Sequence, residues 1–160
     1  MPEAKEDAIE SAPKKGRPYK LLGGGLLALL FFLAIAVLPD RLGSNVVLGH
    51  QNFRVDVAAT AAQQEQGLSG RTGLADRQGM LFVFQDPDTS CFWMKDMEFD
   101  IDILWFDEGR HLIHQAKNLS PDTYPAKYCP PRAAKYVLEV PAGTADRLGL
   151  KDGDDIEVNL

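Results

Sequence analysis

Cysteine is scarce in this chain: Cys91 and Cys129 are the only two among 160 residues. No Cys-x-x-Cys pair or matched His pair accompanies them, so the usual zinc frameworks are absent. The chain also lacks G-x-S-x-G, H-E-x-x-H, Walker and dinucleotide-binding glycine patterns, and with them the common signatures of serine hydrolases, zinc proteases, nucleotide hydrolases and dehydrogenases. Basic residues are outnumbered, 17 Lys and Arg against 23 Asp and Glu. A net charge of −6 argues against a nucleic-acid partner, which favours a basic face. Internal repeats and low-complexity stretches are missing. Histidine is sparse too, and His111 and His114 lie three apart on an expected strand, pointing to opposite faces. Met80 and Met94 read as core residues and Met97 as a turn residue, so soft-metal binding is the weaker account. Nothing points to a cofactor or a metal.

What is present divides the chain. Residues 1–20 are polar, and 18 uncharged residues follow from Leu21 to Leu38. That length is at the short end of a membrane span, for which about 20 apolar residues are typical. Lys14, Lys15, Arg17 and Lys20 precede the run, and only Arg41 closely follows it. The positive-inside rule then places a cytoplasmic leader at 1–20, a transmembrane signal-anchor at 21–38, and the rest outside the cytoplasm. The alternative is a cleaved signal peptide, because Ala34-Ile35-Ala36 has the small-x-small form of a cleavage site. Both readings export the remainder, as a linker at 39–49 and a domain at 50–160. Residues 41–160 carry 12 basic and 18 acidic side chains, hence the whole net charge. Such a domain gains nothing from anionic lipid. In an oxidising compartment Cys91 and Cys129 are candidates for a disulfide worth roughly 3–4 kcal/mol; the alternative is two free thiols.

Period-two alternation dominates the exported part. "FRVDVAA" at 53–59 reads as a half-buried strand, "MLFVF" at 80–84 as a strand buried on both faces. "CFWMK", "IDILWF", "HLIHQAK", "KYVLEV" and "IEVNL" read as further strands, with "DEGR" as a hairpin turn. Thr60 and Gln63 form a capping-box pattern for a short helix that Gly67 stops. A second helical turn is expected after Thr144 as its cap, with Gly149 ending it. The stretch 120–132 holds four Pro in 13 residues and is neither helix nor central strand. The sum is a mainly β chain: a small antiparallel barrel or sandwich of about seven strands with one or two short helices, preceded by one N-terminal transmembrane helix.

Four pieces, "GLSGRTGL", "GMLFVF", "FWMKDMEFDIDILWFD" and "YVLEVPAG", occur in that order. Together they resemble domain of unknown function 192 (DUF192), a family of small, often exported or lipid-anchored β domains. The resemblance covers about residues 50–160. Arg71, Trp93, Met94, Lys95, Asp102 and Glu139 keep the family pattern; Ser69, Asp96, Met97 and Asp100 depart from it. The resemblance implies a fold and an address, and it brings no activity with it.

Charges inside apolar strands are the candidate site. On β spacing Phe99, Ile101, Ile103 and Trp105 share one face, and Asp100, Asp102, Leu104 and Phe106 the other. Val137 and Glu139 share a face in the same way. A buried carboxylate needs a partner, and Arg71 and Lys95 are the cations of the motif-bearing segments. Three readings follow. One is an interior ion-pair network that sets strand register. Another is a pocket for a small polar or anionic ligand, a saccharide or other cell-envelope component among them, walled by Trp93 with Arg71, Lys95, Asp102 and Glu139 as polar contacts. The third is a hydrolase using an Asp/Glu carboxylate pair, Asp102 with Glu139 or Asp100. A purely structural or interaction domain at the cell surface stands beside them, and no catalytic residue is assigned.

Overall fold

The computed structural model describes residues 43–160. The expected leader at 1–20 and span at 21–38 lie outside the described residues. Among the described residues, no helix is long and apolar enough to cross a membrane.

Alternating sequence produces short strands separated by Gly, Pro and Asp turns. In chain order they are β1 (Asn45–Leu48), β2 (Gln51–Ala58), helix α1 (Ala61–Gln66), β3 (Gln78–Asp88), β4 (Phe92–Trp93), β5 (Ile101–Phe106), β6 (Leu112–Leu119), β7 (Lys127–Tyr128), β8 (Ala134–Pro141), helix α2 (Thr144–Leu148) and β9 (Ile156–Asn159). Seven strands form one sheet in the order β6-β5-β8-β3-β2-β1-β9, while β4 and β7 form a separate pair. All pairings are antiparallel except β2 with β3. The parallel pair needs a crossover, and α1 with the following loop supplies it. The sheet curls into a half-barrel whose outer strands meet at one end. There His111 bridges to Asp155, and the Leu112 N–H donates to the Asp154 carbonyl at 2.7 Å.

Curling divides the core in two. The inner cluster takes residues from all seven strands, among them Val46, Phe53, Leu81, Leu104, Leu112, Leu138 and Ile156. The other face carries Met80, Phe82, Ile101, Ile103, Trp105 and Val137, packed under Leu68, Met94 and the segment around Phe92 and Phe99. Each Leu, Ile or Phe buried this way contributes roughly 1.5–3 kcal/mol. The β4–β7 pair lies in this outer cover, and the Cys91–Cys129 disulfide (S–S 2.06 Å) ties its flanks together. Gly79 lets β3 approach β8 closely, since a Cβ there would stand 2.6 Å from the Glu139 carbonyl oxygen.

Three expectations need correction. The linker expected over 39–49 contains β1, which is held between β2 and β9. The strand expected over 91–95 shortens to Phe92–Trp93, because Lys95 and Asp96 form a turn in which Asp96 has φ 55°. The cap of α2 is Gly143, with φ 79°, and Thr144 instead donates its hydroxyl to the Pro141 carbonyl at 2.6 Å.

Candidate functional site

The register of β5 on β8 decides how the expected site residues relate. Ile103 stands opposite Glu139, and Asp102 opposite Val140. Directly opposed residues share a face, so Asp102 and Glu139 point to opposite faces of the sheet. They do not form a carboxylate pair. Asp100 is exposed at the strand's start, and Asp102 is committed elsewhere.

Asp102 is fully buried, at 0% exposure. Its Oδ1 accepts the N–H of Asn118 at 2.8 Å and of Gly143 at 3.2 Å, and its Oδ2 accepts the N–H of Ala145 at 2.8 Å. Gly143 and Ala145 belong to the start of α2, whose first N–H groups have no intrahelical acceptor. Asp102 therefore supplies from β5 the side chain that accepts the first N–H groups of α2, and a negative charge suits that end of a helix.

Glu139 faces the outer cluster, with Met80 as its neighbour on β3 and Ile103 on β5. It is 6% exposed, and its Oε2 has no hydrogen-bond partner. Burial pushes its carboxyl up to about 8, while the Arg71 guanidinium pulls in the other direction. Arg71 itself is held by Asp56, Nη1 to Oδ2 at 2.7 Å, in a pair accessible to solvent. Lys95 is exposed, and its carbonyl accepts the Ser69 hydroxyl at 2.9 Å. Among the described residues neither Arg71 nor Lys95 makes an ion pair with Asp102 or Glu139. The expected gathering of four charges is thus replaced by one electrostatic relation, Arg71 with Glu139. Desolvation is the reason: the sheet has covered both carboxylates, and both cations stay in water.

Glu139 lines a cavity of about 230 Å³. Phe82 and Phe84 of β3 and Phe92 and Trp93 of β4 provide aromatic walls, with Met97 beside them. Residues 64–69 of α1 and its C-terminal turn, with Ser90 and Cys91, complete the rim. The capping box of α1 fixes that rim: the Thr60 hydroxyl accepts the Gln63 N–H at 3.3 Å, and the Thr60 N–H donates to Gln63 Oε1 at 3.0 Å. Trp93 is 47% exposed, and Lys127 Nζ lies 5.6 Å from its ring centroid. Two of the expected residues, Trp93 and Glu139, therefore share the cavity; Arg71 acts on it by charge, and Lys95 and Asp102 lie outside its lining.

A family model described as "Uncharacterized ACR", DUF192, matches residues 44–158. The chain belongs to the DUF192 family. A crystal structure of a protein of unknown function from Novosphingobium aromaticivorans is similar at 34% identity and TM-score 0.66, over 71% of this chain and 82% of that one. A Sinorhizobium meliloti protein proposed to be a transcription regulator is similar at 30% identity and TM-score 0.66, over 72% of this chain and 91% of that one. Among curated proteins none matches.

Sequence reasoning missed Phe82, Phe84, Phe92 and Met97 as cavity residues of this DUF192 domain. Alternation does place Met80, Phe82 and Phe84 on one face. The link from that face to Glu139 is the β3–β8 register, Met80 opposite Glu139, for which no local sequence signal exists.

Proposed function

We propose that this DUF192 protein is a membrane-anchored, extracytoplasmic domain that binds a small polar ligand in the cavity between α1 and the β4 segment. One observation carries the binding part: the Glu139 carboxyl is buried in an aromatic-walled cavity with Oε2 unpartnered. A buried polar group without a partner costs stability, commonly about 1–3 kcal/mol. A ligand supplying that partner would offset the cost. Trp93 serves as wall, Glu139 as polar contact, and Arg71 biases the Glu139 charge. The anionic ligands considered from sequence fit less well, because a carboxyl lines this cavity and no Lys or Arg does.

The address rests on the charge asymmetry around residues 21–38 and on the Cys91–Cys129 disulfide, which suits an oxidising compartment. The regulator role proposed for the Sinorhizobium relative is not carried over, since residues 41–160 hold 12 basic against 18 acidic side chains.

Native mass spectrometry of the full chain purified from its own host tests the reading. A small bound mass is expected, lost in Trp93→Ala/Phe92→Ala. A protein without bound mass, whose Trp93 signals also ignore host small-molecule extract, overturns it.

A further inference from the structure

We propose that the ligand class of this cavity is a small organic ammonium ion, held by aromatic faces and by the Glu139 carboxyl. This deepens the preceding reading and rests on it. The ionisable side chains in the lining are Glu65 and Glu139, so any charge the lining carries is negative. Aromatic rings line it, and a π face attracts a cation within about 6 Å of its centroid. Phe82 and Phe92 meet edge to face, centroids 4.9 Å apart and planes 88° apart, so their faces point in different directions. The Trp93 ring already lies 5.6 Å from the ammonium of Lys127, a cation supplied by the chain itself.

The polar side chains of the rim argue against a saccharide. Gln64 Nε2 donates to the carbonyls of Ala58 and Val83, and Gln66 Nε2 to that of Ser69. The Ser69 hydroxyl donates to the Lys95 carbonyl, and the Ser90 hydroxyl to Asp88. These donors are engaged, and Glu139 Oε2 is the buried unpaired polar atom of the lining. A sugar would bring several hydroxyl oxygens to a cavity whose side-chain donors are already in use. A methylated ammonium brings charge and apolar surface, with little demand for hydrogen bonds. Met97 adds a polarisable contact.

The charged groups near Glu139 are Arg71, whose guanidinium is engaged by Asp56, and Glu65 on the rim; Met80 and Ile103, its cross-strand neighbours, carry none. A bound cation would favour ionised Glu139 over the protonated form that burial alone favours. Ammonium affinity should therefore rise as pH increases through about 8, with proton release on binding.

The test uses the full chain, with choline and its neutral carbon isostere 3,3-dimethylbutan-1-ol as probes, followed by titration calorimetry and the Trp93 indole signal. Choline is expected to bind about tenfold or more tightly than the isostere, in line with a desolvated cation–π and carboxylate contact. Glu139→Gln should bring that ratio close to one, chiefly by weakening choline. Trp93→Leu, at a half-exposed position, is the second variant and should also cut the preference. Equal affinities, a preference indifferent to both variants, or silence of the Trp93 signal towards choline would overturn the proposal. The cavity reading stands separately: it survives if the host-purified protein carries a neutral molecule that Trp93→Ala/Phe92→Ala releases.

Discussion

Asp102 Oδ2 receives the N–H of Ala145 at 2.8 Å across 43 residues of sequence. With the N–H groups of Asn118 and Gly143 on Oδ1, this one carboxylate anchors β6, the β8–α2 turn and α2 to β5. Asp102→Ala would leave these donors without their acceptor in a covered site. The expected loss is roughly 3–5 kcal/mol, read as a lower urea midpoint. Asp102 faces away from the cavity, so ligand binding by the folded fraction should not change. Binding lost without destabilisation would contradict the structural role.

Glu139 sets the pH dependence of stability. Its folded value, about 8, lies above the ordinary 4.5. Between those values the unfolded chain has released a proton that the folded chain still holds, so stability falls as pH rises. The decline should begin near pH 4.5 and level off above pH 8, totalling roughly 4–5 kcal/mol. Glu139→Gln removes the titration, and its stability should stay nearly flat across that window. Urea titrations of both proteins at several pH values check this; parallel curves would refute it.

The Cys91–Cys129 bridge closes a separation of 38 residues. Replacing both cysteines with Ser should cost about 4 kcal/mol on the chain-entropy model. Cys91 also borders the cavity, so ligand affinity should weaken in the same variant. Non-reducing peptide mapping of the protein isolated from its host should recover the linked peptides, and two alkylatable thiols would show that the bridge does not form.

Protease added to intact spheroplasts should digest residues 43–160, given the cationic residues from Lys14 to Lys20 ahead of the apolar run. Protection equal to that of a cytoplasmic control would overturn the proposed extracytoplasmic address.

Local signals were legible for most near-neighbour interactions, the cap of α2 being the exception. Thr60 and Gln63 are three apart, and their capping box forms around α1 as their identities imply. Ile101 to Phe106 alternate, and the two halves of that alternation enter separate clusters, Leu104 and Phe106 in one and Ile101, Ile103 and Trp105 in the other. Gly149 ends α2 with φ 65°, a conformation that suits glycine.

The roles of the charges were not legible in that way. Asp102 and Glu139 both appear as carboxylates in apolar strands, and the sequence does not distinguish them. Register placed them on opposite faces, one before three N–H groups and the other before a cavity. By itself the sequence determined most of the sheet's strands, their faces, the α1 cap and the family motifs, because these depend on side-chain period and contacts a few residues long. Tertiary structure alone decided that Asp102 caps a helix and Glu139 stays unpaired, because a buried charge takes its meaning from partners that only the curled sheet brings within hydrogen-bond reach.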